Sequence, residues 1–113
     1  MILRLWRGWT TKENAGTYEQ LLNGTIAPGI MQRGIAGLKE LAVLKDGQED
    51  EVEFLTVMTF DDWEAVAEFA GENPQASVVP PAARAVLSRF DAHSQHYELL
   101  ERHLPSNGRC IVQ

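Results

Sequence analysis

The sequence predicts a single α+β domain on the ferredoxin-like plan, a split βαββαβ arrangement with an antiparallel sheet and both helices on one face. Three observations predict it. Residues 38–45 and 52–60 are apolar, strand-forming runs flanking the turn signal Asp46-Gly47. Residues 2–9 and 90–100 are strand-like runs at opposite ends of the chain. Helical spacing fills the intervals, giving the order strand, helix, strand, strand, helix, strand.

In residues 2–9, alternation puts Arg4 and Trp6 on one face and Leu3 and Leu5 on the other. Trp9 ends this strand near the surface or a dimer edge. Thr10 and Thr11 can cap the helix that follows, over residues 12–23, whose apolar face carries Tyr18, Leu21 and Leu22, then Thr25 and Ile26. Gly24, Pro28, Gly29 and Gly34 interrupt it, predicting a frayed or two-part helix and then a loop up to residue 37. Strand 2 covers residues 38–45, and Glu49, Asp50 and Glu51 form an exposed hairpin tip. Strand 3, residues 52–60, sets Phe54, Thr56 and Met58 against Leu55 and Val57. Asp61 is expected to cap the next helix, with Glu64 completing a capping-box pattern. That role also accounts for the Asp61-Asp62 pair of carboxylates. The helix has an apolar stripe of Trp63, Val66, Ala67 and Ala70, and Gly71 ends it. A loop through Asn73-Pro74 leads to Pro80-Pro81, and Pro81 opens a short helix with Ala83, Val86, Leu87 and Phe90 as its stripe. The last strand covers residues 92–101. Residues 1–103 are thus expected to form the domain, and 104–113 a tail with a turn at Pro105-Ser106-Asn107-Gly108 and a short added strand.

A chain of 113 residues buries about two-thirds of its unfolded surface and needs no metal or disulfide to fold. The net charge is -6 and Lys and Arg do not cluster, which argues against nucleic acid as a partner. No apolar run approaches the ~18 residues of a membrane span. Arg4 and Arg7 interrupt any signal-peptide core, and Cys110 is the lone cysteine, so the expected setting is the cytoplasm. The sequon Asn23-Gly24-Thr25 then has no export route to act with.

The topology makes strands 1 and 3 central and lays the last strand beside strand 1. Arg4 and Trp6 would then neighbour His96 and Glu98, with Tyr97 on the opposite face. The residues alone leave open whether His96 or Tyr97 faces the helices. Strand 3 is apolar on both faces, while the helices cover only one. The bare face predicts a homodimer, sheet against sheet.

These residues resemble the dimeric α/β-barrel superfamily, and within it small proteins similar to antibiotic biosynthesis monooxygenases. The resemblance rests on Ile2, Arg4, Trp6, Arg7, Gly8 and Thr10, Tyr18, Glu53-Phe54-Leu55, Phe69-Ala70-Gly71, Pro81, Phe90 and His96-Tyr97-Glu98, in order over residues 1–102. It implies a homodimer whose pocket takes a small hydrophobic or aromatic ligand, and a monooxygenase that needs no cofactor and acts on an aromatic or polyketide-like small molecule. Two departures stand out: Phe60 occupies a position where such proteins often have tryptophan, and the stretch from Val78 through Val79-Pro80-Pro81-Ala82-Ala83 lacks their aromatic and acidic residues. Arg7 and Phe69 stand where the haem-degrading branch uses asparagine and tryptophan, which argues against haem degradation.

His96 is the candidate general base, since an ordinary histidine titrates near neutral pH. Arg4 is the candidate stabiliser of a substrate anion. Trp6, Tyr18, Trp63 and Glu98 are the candidate substrate-binding residues, the aromatic ones as pocket walls. The plain alternative makes His96 a structural residue, pairs Arg4 with Glu98 across the strands, and places Trp63 in the core. Non-catalytic ligand binding by a structural dimer is the rival function. No metal site is expected, because His93 and His96 differ by an odd number and face apart on a strand. Cys110 has no evident histidine partner, and the glycines form no phosphate-binding fingerprint.

Overall fold

Antiparallel pairing of the first strand with the third organises the molecule. The computed structural model describes residues 1–71, 73 and 79–105. β1 (Ile2–Thr10) pairs along its whole length with β3 (Val52–Phe60), from Ile2 opposite Phe60 to Thr10 opposite Val52. β2 (Leu38–Gly47) lies on the far side of β3, with a register shift between Leu38 and Glu40. On the other side of β1 lie β4 (Arg89–Phe90) and β5 (Gln95–Glu98), giving the order β2-β3-β1-β4 with β5 also on β1. The fold is α+β and ferredoxin-like, with the predicted central strands.

The first helical stretch has two parts, as predicted, joined without a break. α1 (Lys12–Leu21), capped by the Thr11 side chain on the Asn14 amide, passes through a π-helical turn (Leu22–Ile26) into α2 (Ala27–Gln32). Within the turn the Ala27 amide reaches the Leu22 carbonyl, five residues back. Pro28 then falls in the first turn of α2, where a missing N–H is tolerated. Gly24 and Pro28 therefore alter the ladder without ending the helical path.

α3 (Trp63–Ala70) is capped by Asp62 rather than Asp61: its carboxylate accepts from the Ala65 amide at 3.0 Å. Asp61 instead sits 3.4 Å from the Lys39 ammonium. The predicted stripe is corrected with the cap. Ala65, Val66 and Phe69 are buried, and Trp63 is 47% exposed. Gly71 ends the helix at φ 86°, as predicted for a glycine there. Gly37 lets β2 approach α3 closely, since a Cβ there would meet the Ala65 Cβ at 2.5 Å.

The last strand is two short pieces. After α4 (Pro81–Val86), Phe90 belongs to β4 and not to the helix stripe. The Asp91 amide still donates to Arg7, but the Asp91 carbonyl accepts the Trp6 indole N–H at 2.8 Å. The chain rejoins β1 in β5, where Leu3 faces Tyr97 and Arg4 faces His96. The predicted tail strand and Cys110 fall on residues 106–113, and the predicted turn at Asn73-Pro74 includes residue 74; these lie outside the described residues.

The helices cover the face of the sheet that carries Ile2, Arg4, Phe54, Met58 and Phe60. Two core clusters fill that layer. One gathers Ile2, Ile35, Met58, Phe60, Val66 and Phe69; the other gathers Tyr18, Leu22, Val52, Phe54 and Ala83. The opposite face bears Leu3, Leu5, Leu55, Val57 and Ala42, all only partly buried, with Leu44 48% and Tyr97 54% exposed.

Candidate functional site

Between the two core clusters lies a cavity bounded by members of both. Met58 and Phe69 wall it on one side, Tyr18, Leu22 and Ala83 on the other, and Arg4, Trp6 and Thr56 form its floor on the sheet. About 60 Å³ of it is open to the centre of a water molecule, room for more than one water but below the several hundred Å³ of a drug-sized site. Its lining is mostly apolar, and among the described residues Arg4 is the one charged residue on it.

The burial of Arg4 follows from strand parity. It shares the helix-facing side with Ile2 and Trp6 and is 3% exposed. The guanidinium touches both His96 and Phe69. Its Nη1 donates to His96 Nε2 at 3.0 Å, and its centre stands 5.3 Å from the middle of the Phe69 ring. Burial lowers the Arg4 pKa from the ordinary arginine value, but a guanidinium keeps its proton throughout the working range of pH. The site therefore holds a fixed positive charge among apolar walls.

That geometry specifies the state of His96. A guanidinium only donates, so Nε2 accepts, and the neutral ring carries its proton on Nδ1. Burial, and then the charge of Arg4, hold the imidazole below its ordinary pKa. Nδ1 is buried without a hydrogen-bond partner among the described residues. His96 faces the helices, and Tyr97 faces the open sheet. In this arrangement the lone pair a base would use is engaged by Arg4, so His96 acts first as the residue that positions the guanidinium.

A pH dependence follows. A histidine held neutral by folding stabilises the native state fully above its unfolded pKa of about 6.5 and progressively less as pH falls below it. Thermal melts between pH 7.5 and 5 should show a falling Tm in the wild type, with part of that slope absent in His96→Gln. Identical slopes would contradict the assigned state of His96.

The other candidate residues separate into three groups. Trp6 and Tyr18 line the cavity with Arg4. Trp6 is anchored by its indole bond to Asp91 and by the Phe90 ring at 5.9 Å. Tyr18 is 1% exposed, meets Phe54 edge-on at 4.9 Å, and has its phenol pKa pushed up by burial to about 12. Trp63 does not line the cavity; it is half-exposed, with its ring 5.2 Å from that of His96. Glu98 stands opposite Ile2, exposed and away from the cavity. An Arg4–Glu98 pair is not among the ion pairs of the described residues. Sequence reasoning missed Ser94, which lines the cavity and is 3% exposed. It has the same parity as His96 in the terminal run, a signal sufficient to find it. His93 and His103 are exposed, and among the described residues no three His, Cys, Asp or Glu side chains converge to hold a metal.

Solved structures share this architecture. A Bacillus cereus protein named as a candidate antibiotic biosynthesis monooxygenase superposes with a TM-score of 0.64 at 13% identity, covering 94% of this chain and 97% of its own. The chain has the fold of that protein. Rv0793 from Mycobacterium tuberculosis gives a TM-score of 0.55 at 15% identity over 89% of this chain and 96% of its own. A dimeric ferredoxin-like protein from an uncultured marine organism gives 0.59 at 12% identity, covering 92% of this chain and 97% of its own. At such identities the likeness is one of fold. No family model and no curated protein matches the sequence. No helix among the described residues is long and apolar enough to cross a membrane.

Proposed function

We propose that this chain binds a small aromatic molecule with one acidic oxygen, in its ionised form, and that the reaction served is oxygenation without a cofactor. The observation that carries this reading is the buried Arg4 guanidinium, held by His96 and Phe69 on the wall of an apolar cavity. A fixed cation in a low-dielectric site favours a phenolate or enolate over its neutral acid. Such an anion is electron-rich enough to react with dioxygen itself. For an anthrone the balance is a ring CH2 plus O2 giving a ring C=O plus water: one oxygen atom enters the product and the other leaves as water. Arg4 stabilises the enolate, and His96 holds Arg4. Trp6 and Tyr18 line the cavity, which widens beyond its about 60 Å³ to admit the rings. The resemblance of the sequence to monooxygenase-like proteins supports the same reading.

The rival, binding without chemistry, is favoured by one observation: the His96 lone pair is engaged, which leaves deprotonation to the solvent or to the lowered pKa of the bound acid. Oxygen uptake with anthrone separates the two. The oxygenase reading expects uptake with stoichiometric anthraquinone; saturable anthrone binding without uptake supports the rival.

We further propose that the open sheet face joins two copies of the chain in a homodimer. Its exposed Leu44 and Tyr97, and the dimeric state named for the marine ferredoxin-like protein, support this.

A further inference from the structure

Three buried side-chain polar atoms have no hydrogen-bond partner among the described residues: Thr10 Oγ1, Ser94 Oγ and His96 Nδ1. Buried hydroxyls are normally satisfied, because an unmet one loses its bonds to water and gains nothing in return. Thr10 does not line the cavity. Ser94 does, together with Arg4. It immediately precedes Gln95, which pairs with Leu5, so by alternation it shares the helix-facing side with His96. His96 in turn carries the Arg4 guanidinium. The unmet hydroxyl and the cation thus line one apolar cavity, and His96 holds the cation.

We infer that Ser94 is a ligand-binding residue whose hydroxyl donates a hydrogen bond to the ionised oxygen that Arg4 attracts. This rests on the reading of the cavity as a site for an aromatic anion, and it adds a specificity-determining group to that site. A buried hydroxyl with no partner among the described residues, on the lining of an apolar cavity, is left for a ligand to satisfy. An oxyanion accepts from several donors at once, and a guanidinium on one side leaves its other lone pairs open to the serine. The Ser94 hydroxyl selects against neutral hydrocarbons of the same shape, which would leave it unmet. It selects for molecules whose oxygen carries charge.

Ser94→Ala supplies the test, because removing an unmet buried hydroxyl does not break a bond in the protein. The probe is 4-nitrophenol, whose phenolate absorbs in the visible, titrated against the full chain alongside a thermal melt. The expected result is an affinity for 4-nitrophenolate at least about tenfold weaker in Ser94→Ala, with a Tm equal to or above that of the wild type. Two results would overturn the assignment: unchanged affinity, or weaker affinity with a lower Tm, which would make the hydroxyl structural. Wild type that does not bind 4-nitrophenol would overturn this inference together with the reading of the cavity. Wild-type binding that Ser94→Ala leaves intact would overturn this inference alone.

Discussion

Arg4→Met should lower kcat/KM for anthrone oxygenation by about 100- to 1,000-fold, the usual cost of losing a principal donor to a developing oxyanion. The chain should still fold. Methionine keeps most of the volume and relieves the burial of a charge, and that relief opposes the loss of the His96 bond. Two effects combine against activity. The substrate anion loses its counter-charge in an apolar cavity, and His96, freed of Arg4, loses the charge that helps keep it neutral. Arg4→Lys separates charge from geometry. Lysine retains the positive charge, but its ammonium lacks the planar guanidinium that bonds His96 and stacks near Phe69. Activity between that of the wild type and Arg4→Met is expected. Steady-state oxygen uptake, with circular dichroism to verify folding, measures both. Wild-type rates in a folded Arg4→Met protein would remove Arg4 from the site.

Val57→Asp should convert a dimer into a monomer. Val57 lies on the open face, opposite Leu5 on β1 and Ala42 on β2, near the middle of the sheet. In a two-fold symmetric interface the substitution enters twice, so two carboxylates would be buried without partners. Leaving buried charges unpaired costs several kcal/mol, enough to dissociate an ordinary dimer at micromolar concentration. In the free chain the same carboxylate is solvated, so folding should survive. Light scattering coupled to size exclusion should give a dimer mass for the wild type and a monomer mass for Val57→Asp. A monomeric wild type, or a dimeric variant, would contradict the interface. Because the cavity lies on the other face, the variant also shows whether the monomer alone binds ligand.

Strand order and parity were legible in the sequence because alternation is a short-range property, fixed by which side chains can share a face. Arg4 with Trp6, and Phe54 with Met58, needed no more than counting by two. The helix details were less legible. Gly24 and Pro28 read as breaks, yet a π-helical turn carried the chain past Gly24 and set Pro28 in the first turn of α2. The one-residue choice between Asp61 and Asp62 as cap depended on what else each carboxylate touches, and Asp61 is drawn to Lys39, distant in sequence. The split of the terminal strand at Asp91 depended on a tertiary bond from the Trp6 indole, which no local pattern announces.

The site followed the same division. Placing Arg4 beside His96 required only the topology. That His96 would accept from Arg4, while Glu98 stood opposite Ile2, required the register, and a two-residue shift on the same face separates the two pairings. The size of the cavity depends on how fully the two core clusters close upon each other, a property of packing beyond any motif. Ser94 was legible in parity but silent in chemistry. A serine near the end of a sequence means little until its hydroxyl is found buried and unmet.

The central claim is that a buried guanidinium in an apolar cavity stabilises an aromatic oxyanion. Its most direct measurement is the pH titration of 4-nitrophenol absorbance in the presence of saturating wild-type protein. The phenol should ionise at a lower pH when bound than when free, and that shift should vanish with Arg4→Met. A bound phenol that ionises at the same pH as in water, or at a higher one, would contradict the claim.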